Sequence, residues 1–145
     1  MSAELKIAAE PNPPVVAGGG LRVLVVDDEP HVCTYLRTML TKLGHGESTS
    51  AESGEAALRL YRDLLPDAVL LDIHMPYMGG MEILGRLVEL DPDAIVIMVT
   101  TDAAKATIQN AGARGASGYI LKHLPPARLQ EALAEALSEI APRER

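Results

Sequence analysis

The chain has 145 residues, of which 48% are hydrophobic and 23% are charged, a balance typical of one soluble globular domain and not of a disordered chain. Its 13 basic and 20 acidic residues give a net charge of -7, which argues against a nucleic-acid partner because few cations could follow a phosphate backbone. The single cysteine, Cys33, excludes an intramolecular disulfide framework and a multi-cysteine zinc site.

Residues 1–20 have the composition of a flexible N-terminal tail. Three prolines precede a run of three glycines there, and such a stretch can neither hold a helix nor pack into a core. Charged residues interrupt the first ten positions, where a signal peptide would need an apolar core. Because the longest apolar runs fall far short of the ~20 residues that span a membrane, we expect a cytoplasmic protein with no membrane partner.

From Leu21 onwards, segments typical of strands alternate with segments typical of helices. The predicted strands lie at residues 21–26, 47–50, 67–71, 94–99 and 117–121, and the second of them is polar and weak. The predicted helices carry apolar residues at helical spacing at about residues 32–43, 56–64, 81–90, 103–111 and 129–140. Pro30 suits the first turn of the first helix, Gly44 its end, and Ser53 can cap the second helix.

Five strands that alternate with five helices through short connections demand parallel pairing. Strands that are apolar without alternation are buried on both faces of a sheet. We therefore predict an α/β fold, a flavodoxin-like doubly wound sheet of five parallel strands in the order 2-1-3-4-5 with five helices.

Polar residues end four of the predicted strands. In a doubly wound sheet, ligands bind at the carboxyl ends of the strands, beside the switch point in strand order. The strand-terminal residues at this edge are Asp27-Asp28, Asp72, Thr100 and Lys122. The sequence therefore predicts that these side chains, distant along the chain, converge on one site.

The residue types at this edge favour phosphoryl chemistry. Three carboxylates in one place repel one another unless a cation lies between them, and Mg²⁺ commonly binds one or two carboxylates plus a phosphate. Lys122 adds a positive charge and Thr100 a hydroxyl donor, which together suit a transferring phosphoryl group. Asp72 stands alone at the end of the central strand and is the better candidate for the nucleophile.

Four motifs resemble those of the receiver domain of two-component response regulators. They are LRVLVVDDEP at 21–30, DAVLLDIHMPYMGGMEIL at 67–84, VIMVTTDA at 96–103 and GYILKHLPP at 118–126. The resemblance covers residues 21–141 and leaves 1–20 as the tail and 142–145 as the C-terminal end. It implies a single-domain, chemotaxis-regulator-like phosphoprotein of a phosphorelay, which forms an aspartyl-phosphate and is not an enzyme acting on a second substrate.

The resemblance also implies a magnesium site. Asp28 and Asp72 would bind Mg²⁺ directly, with Mn²⁺ as a substitute. The backbone carbonyl of His74 would be a further ligand, and Asp27 would act through bound water.

The phosphoryl group implied by the resemblance comes from a phosphohistidine on a sensor histidine kinase or a histidine phosphotransfer protein. Asp72 would accept it, while Thr100 and Lys122 would hold its oxygens. The added charge of about -1.5 to -2 would draw Thr100 inward, and Tyr119, at the place of the family's rotating switch residue, would fill the space behind it. We expect the surface from about Asp102 to Ile140 to change and to bind a downstream protein, an output domain or a second copy as a homodimer.

Two features depart from the family pattern or add to it. His123 replaces the usual proline after the lysine, so the Lys122–His123 peptide is either trans or strained, since a non-proline cis bond costs about 2.5–4 kcal/mol. His74 and Asp102 flank the expected path of attacking water. We therefore hypothesise that these two residues set the lifetime of the phosphoryl group.

Two other function classes are alternatives. A magnesium-dependent aspartate-nucleophile phosphatase or hydrolase would need a covering insertion and an acid two residues beyond the nucleophile, where this chain has His74. A flavodoxin-like FMN binder would need a phosphate-binding loop and a Trp or Phe to stack on the flavin, and this chain has neither residue type. The remaining histidines, His31, His45 and His123, are predicted to be surface residues without ligand spacing.

Overall fold

The computed structural model describes residues 20–145, so the predicted tail, except for Gly20, lies outside the described residues. The five strands are β1 (Arg22–Val26), β2 (Glu47–Ala51), β3 (Ala68–Leu71), β4 (Val96–Thr100) and β5 (Gly118–Leu121). The five helices are α1 (Pro30–Lys42), α2 (Gly54–Leu64), α3 (Gly80–Leu90), α4 (Lys105–Ala113) and α5 (Pro126–Ser138). None of these described helices combines the length and the apolar character that a bilayer crossing requires.

The strands form one parallel sheet in the order β2-β1-β3-β4-β5, which confirms the predicted fold. β1 pairs with β2 on one side and with β3 on the other. The direction in which strands are added to the sheet therefore reverses between β1 and β3. In this topology the carboxyl ends of β1 and β3 lie side by side at the switch point where ligands bind.

Helices cover both faces of the sheet and enclose two hydrophobic clusters. On one face α1 and α5 contribute buried residues such as Leu40 and Leu133. On the other face α2 and α3 contribute Ile83, Leu87 and their neighbours. Because burial of one such side chain stabilises the fold by about 1.5–3 kcal/mol, these two clusters hold the sheet and the helices together.

The edge strand β2 forms despite a polar sequence. Of its five residues, only Ala51 is buried. Its backbone nevertheless pairs with β1 in a continuous parallel register, from Arg22 opposite Glu47 to Val26 opposite Ala51. An edge strand meets solvent along one side, where polar side chains are tolerated and discourage further pairing. The weak strand predicted at 47–50 is confirmed.

The helix α4 is the least buried of the five helices. Ala111 is its one buried residue, and Ile108 exposes 39% of its surface. Its N-cap, Ala104, supplies no side-chain hydrogen bond to the first turn. Because segments with few buried apolar contacts open at a low free energy, α4 is the part of the fold that the core holds least firmly.

The first turn of α3 requires a glycine because it lies directly against the end of β3. A Cβ atom at Gly80 would lie 2.1 Å from the backbone oxygen of Asp72 and 2.6 Å from the Cα atom of Ile73. The N–H of Gly80 donates a hydrogen bond of 2.8 Å to the carbonyl of Ile73. This close contact fixes the backbone that carries Asp72.

His45 is buried, so its predicted surface position is wrong, whereas His31 and His123 are exposed as predicted. His45 is 3% exposed, and its Nδ1 atom accepts a hydrogen bond of 2.9 Å from the backbone N–H of Leu21. Burial lowers the pKa of His45 because the imidazolium form loses its hydration. The side chain thereby joins the turn after α1 to the start of β1.

We expect the free energy of unfolding to fall as the pH decreases below about 6.5, the ordinary pKa of histidine. Below that value the unfolded chain binds a proton on His45 that the folded chain does not bind. Stability should then decrease by up to about 1.4 kcal/mol per pH unit until the lowered pKa of the folded state is reached. Urea unfolding at a series of pH values measures this slope.

The His45→Asn variant retains an acceptor near the position of Nδ1 but does not titrate, so its stability should depend less on pH in this range. The His31→Asn variant, altered at an exposed histidine, should keep the wild-type slope. Equal slopes in the wild type and His45→Asn would show that His45 is not the group responsible.

Candidate functional site

The pairing of β1 with β3 brings two carboxylates to one point on the sheet edge. Asp27 follows β1 and Asp72 follows β3, directly after the paired residues Val26 and Leu71. The N–H of Asp72 donates to the carbonyl of Val26 at 3.0 Å, and the N–H of Asp27 donates to that of Ala51 at 3.1 Å. Both aspartates are buried, with 1% and 5% of their surface exposed.

Lys122 contacts both of these carboxylates from the end of β5. Its Nζ atom donates hydrogen bonds to Oδ2 of Asp27 at 3.0 Å and to Oδ2 of Asp72 at 3.3 Å. Every peptide bond in residues 20–145 is trans, including the one between Lys122 and His123. The lysine therefore reaches the two acids without the cis bond that the family's proline provides.

Backbone N–H groups orient the second oxygen of each carboxylate. Oδ1 of Asp27 accepts a hydrogen bond of 2.9 Å from Glu29, and Oδ1 of Asp72 accepts one of 2.8 Å from Ile73. The loops after β1 and β3 thus hold the two Oδ1 atoms. The two Oδ2 atoms are the ones that meet at Lys122.

Asp28 completes a group of three carboxylates. One oxygen from each of Asp27, Asp28 and Asp72 lies within 4.8 Å of the others. Lys122 compensates for one of the three negative charges, and two remain, which equals the charge of a divalent cation. Since Mg²⁺ prefers carboxylate and other oxygen ligands, the residues at this edge fit the predicted ion.

Burial and charge act against each other in this group. Burial raises the pKa of Asp27, and hydrogen bonds from Glu29 and Lys122 offset only part of this effect. Burial also disfavours the charged form of Lys122, but the hydrogen bond to Asp27 and the charge of Asp72 outweigh it and raise the lysine pKa. Lys122 is therefore a cation at neutral pH.

Thr100 is fully buried at the end of β4. Its hydroxyl oxygen accepts a hydrogen bond of 3.4 Å from the N–H of Asp102. Among the described residues, no hydrogen bond joins this hydroxyl to Asp72 or Lys122. The structure thus places Thr100 at the predicted edge, but its side chain is engaged with the loop after β4.

Tyr119 is bound to the same loop. Its hydroxyl donates a hydrogen bond of 2.5 Å to the backbone carbonyl of Asp102, and its ring packs against the cluster that α2 and α3 cover. Burial raises the pKa of Tyr119, and the negative charges of Asp102 and Asp72 add to the increase. The half-buried ring is therefore directed into the protein and is within electrostatic reach of Asp72.

The carboxylate of Asp102 organises this loop. Its Oδ1 atom accepts a hydrogen bond of 2.9 Å from Ala104, and its Oδ2 atom lies 3.1 Å from Nε2 of His74 and 3.3 Å from the hydroxyl of Thr107. The N–H of Ala104 lowers the pKa of Asp102, and His74 contributes to the decrease. Sequence reasoning paired His74 with Asp102 but missed the contacts to Thr107 and Tyr119, although an aspartate before a helix is a signal for this type of turn.

The structure sorts the predicted site residues into two adjacent groups. The carboxylate–lysine group contains Asp27, Asp28, Asp72 and Lys122. The Asp102 group contains His74, Thr100 and Tyr119. The side chain of His74 points to Asp102, so the metal role predicted for this residue would rest on its backbone carbonyl alone.

Comparisons with known proteins agree with this arrangement. The profile of the family described as response regulator receiver domain matches residues 23–134. The chain is 35% identical over 114 residues to the chemotaxis protein CheY of Thermotoga maritima, an alignment that covers 79% of this chain and 95% of that protein.

Two solved structures share the fold. A two-component response regulator of the LuxR family from Aurantimonas sp. SI85-9A1 superposes with a TM-score of 0.76 and 32% identity, covering 82% of this chain and 86% of that chain. A chain of the CheX-CheY-BeF3-Mg+2 complex from Borrelia burgdorferi gives a TM-score of 0.73 and 30% identity, covering 79% of this chain and 87% of that chain. By its sequence profile, its relatives and its fold, this chain belongs to the family of response regulator receiver domains.

Proposed function

We propose that this receiver domain accepts a phosphoryl group on Asp72 from the phosphohistidine of a sensor histidine kinase or a histidine phosphotransfer protein. The observation that carries the proposal is the group of three carboxylates within 4.8 Å of one another beside Nζ of Lys122. Membership of a family of signalling switches supports it. The related complex from Borrelia burgdorferi, which contains BeF3 and Mg²⁺, supports the same chemistry.

Asp72 is the proposed nucleophile because it stands alone at the end of the central strand β3, and its Oδ2 atom accepts no backbone hydrogen bond. Attack of Oδ2 on phosphorus forms a P–O bond while the P–N bond to the donor imidazole breaks, and the departing nitrogen keeps the electron pair and takes a proton from solvent. Lys122 then exchanges its hydrogen bond to Oδ2 for one to a phosphoryl oxygen. Its positive charge thereby stays beside the charge that develops.

The metal ligands we propose are the carboxylates of Asp28 and Asp72 and the backbone carbonyl of His74, with Mg²⁺ or Mn²⁺ as the ion. For Asp27 we propose a role through bound water; its two oxygens accept hydrogen bonds from the N–H of Glu29 and from Lys122. Bound here, the ion would neutralise charge on the phosphoryl oxygens.

The response that we propose is a displacement of the α4–β5–α5 face, the surface of those three elements. The phosphoryl group offers the Thr100 hydroxyl a new acceptor, and Thr100 is at present linked to the loop of Asp102. The same loop holds the hydroxyl of Tyr119 and leads into α4, of which only Ala111 is buried. A local change of charge can therefore move this face at a small free-energy cost.

The partner of this face in our proposal is a downstream protein, an output domain or a second copy of the chain. The domain then acts by protein contact, and its own chemistry is limited to phosphoryl transfer to itself and autodephosphorylation. A change in the α4–β5–α5 face would make the affinity for this partner depend on whether Asp72 is phosphorylated.

We expect the Asp72→Asn variant to accept no phosphoryl group, because an amide cannot replace the carboxylate nucleophile. The protein is incubated with Mg²⁺ and acetyl phosphate, and its intact mass is measured. The wild type and the Asp63→Asn control, altered at an exposed residue of α2, should each gain one phosphoryl group, and omission of Mg²⁺ should prevent the gain. Equal phosphorylation of Asp72→Asn would overturn the assignment.

The Thr100→Val variant should accept the phosphoryl group but transmit little of the response, because it keeps the side-chain shape and loses the hydroxyl. Hydrogen exchange over residues 101–121 is compared with and without acetyl phosphate and Mg²⁺. The wild type and the Thr101→Val control, altered at an exposed neighbour, should show a several-fold change in exchange rate. If the exchange rate in Thr100→Val changed as much as in the wild type, the hydroxyl would not be what transmits the signal.

The His74→Ala variant should lose its phosphoryl group several-fold faster than the wild type, because the contact between His74 and Asp102 no longer restricts water. The rate is followed by intact mass after the phosphodonor has been removed. The His31→Ala variant, altered at an exposed histidine of α1, is the control and should keep the wild-type rate. An unchanged lifetime in His74→Ala would refute the hypothesis that this pair limits hydrolysis.

A further inference from the structure

The end of the chain folds back onto the sheet edge opposite Asp72. α5 ends at Ser138, and the backbone N–H of Arg143 donates a hydrogen bond of 2.6 Å to Oδ1 of Asp67. Asp67 lies immediately before β3 and is separated from Arg143 by 76 positions in the sequence. We call residues 142–145 the C-terminal arm.

Arg143 binds acceptors from α2, from the turn after α2 and from the turn after α3. Its Nε atom donates to the carbonyl of Pro66 at 3.1 Å. Its Nη2 atom donates to the hydroxyl of Tyr61 at 3.0 Å and to Oδ2 of Asp91 at 2.6 Å. One guanidinium group thereby joins the turn after α2 to the residue that ends α3.

Arg145 binds the carboxyl end of α2. Its Nη1 atom donates to the carbonyls of Leu64 at 3.1 Å and Leu65 at 2.8 Å, and its Nη2 atom donates to Oδ1 of Asp67 at 3.2 Å. Leu65 has a φ of 45°, in the left-handed region where glycine is usual at the end of a helix. Arg145 therefore satisfies carbonyl groups that the helix itself leaves without a partner.

The two carboxylate acceptors also have partners outside the arm. The side chain of Asp67 is 2% exposed, and its Oδ2 atom accepts a hydrogen bond of 2.7 Å from the N–H of Arg22. Asp91 is held by the hydroxyl of Tyr61 at 2.8 Å and by the N–H of Asp93 at 3.0 Å. Two carboxylates and a row of carbonyl groups thus form an electron-rich surface, and both carboxylates are held by residues outside the arm.

The chemistry of this surface selects arginine. Its acceptors are spread over several directions, and the planar guanidinium group offers five N–H donors in a fixed arrangement, whereas lysine offers a single compact charge. Hydrogen bonds between ionised partners are also stronger than neutral ones. A buried carboxylate such as Asp67 is costly without a cationic partner, and Arg145 supplies that partner.

We propose that the sheet edge opposite Asp72 carries a recognition site for two arginine side chains separated by one residue, and that Arg143 and Arg145 of this chain occupy it. The site consists of Asp67, Asp91, the hydroxyl of Tyr61 and the carbonyls of residues 64–66. Its occupation ties the end of α5 to the turns that follow α2 and precede β4.

The release of Arg145 by carboxypeptidase B tests this proposal on a protein of these 145 residues, without Mg²⁺ or a phosphodonor. The enzyme requires a free terminal arginine, and mass spectrometry follows its removal. We expect release from the wild type to be at least about tenfold slower than from the free peptide Ala-Pro-Arg-Glu-Arg. A docking free energy of about 1.4 kcal/mol lowers the population of the undocked arm tenfold, and only the undocked arm can be cleaved. Release at the rate of the peptide would overturn the proposal.

Matched variants identify the contacts responsible. Asp91→Asn keeps an acceptor for Tyr61 and leaves the sequence of the arm unchanged, and it should accelerate release about tenfold. Asp93→Asn makes the same charge change at an exposed residue and should release Arg145 at the wild-type rate. If the two variants changed the release rate equally, the effect would come from net charge and not from a specific contact with Asp91, and the proposed site would be overturned.

The arm itself supplies a second variant that leaves the surface intact. Arg143→Lys preserves the charge but not the fork of donors, so hydrogen exchange at the backbone N–H of residue 143 should become faster, while circular dichroism and exchange in β3 stay unchanged. If that N–H exchanged as slowly in Arg143→Lys as in the wild type, the claim that the site selects arginine over lysine would be contradicted. These measurements do not depend on phosphorylation, so their failure would leave the proposed function untouched.

Discussion

Repulsion between three carboxylates is the constraint on which this molecule depends. A parallel sheet brings the ends of β1 and β3 together, and carboxylate oxygens of Asp27 and Asp72 therefore lie within 4.8 Å of each other at a buried edge. Such an arrangement is unfavourable unless positive charge is supplied. Lys122 supplies one charge from the end of β5, and the remaining imbalance supports the divalent cation and the phosphoryl group that we propose for this edge.

The rest of the fold divides into a fixed part and a movable part. The close approach of Gly80 to the backbone of Asp72 and the two buried clusters hold Asp72, the proposed phosphoacceptor, in place. Hydrogen bonds to one loop connect Thr100, Tyr119 and His74 through Asp102. That loop leads to α4, so the response that we propose would pass from the strongly packed side of the molecule, which carries the carboxylates, to the weakly packed side.

The strand order and the carboxylate–lysine group could be predicted from the sequence because both follow from short-range rules. Apolar runs that stop at Asp27, Asp72 and Lys122 locate the ends of buried strands, and parallel topology then brings these ends together. The burial of His45 could not be predicted, because it depends on the N–H of Leu21, just before β1, which lies 24 positions away. The arm was predicted as an ordinary end, since its partners Asp67 and Asp91 lie at turns whose proximity only the assembled fold creates.

The low burial of α4 also has an evolutionary consequence. Substitutions at exposed positions away from buried contacts usually change stability by no more than about 0.5 kcal/mol, and all but one of the residues of α4 lie outside the buried core. Selection can therefore alter the sequence of this helix with little risk of unfolding the domain. Relatives that share the same carboxylate–lysine group are free to diverge in the exposed residues of this helix.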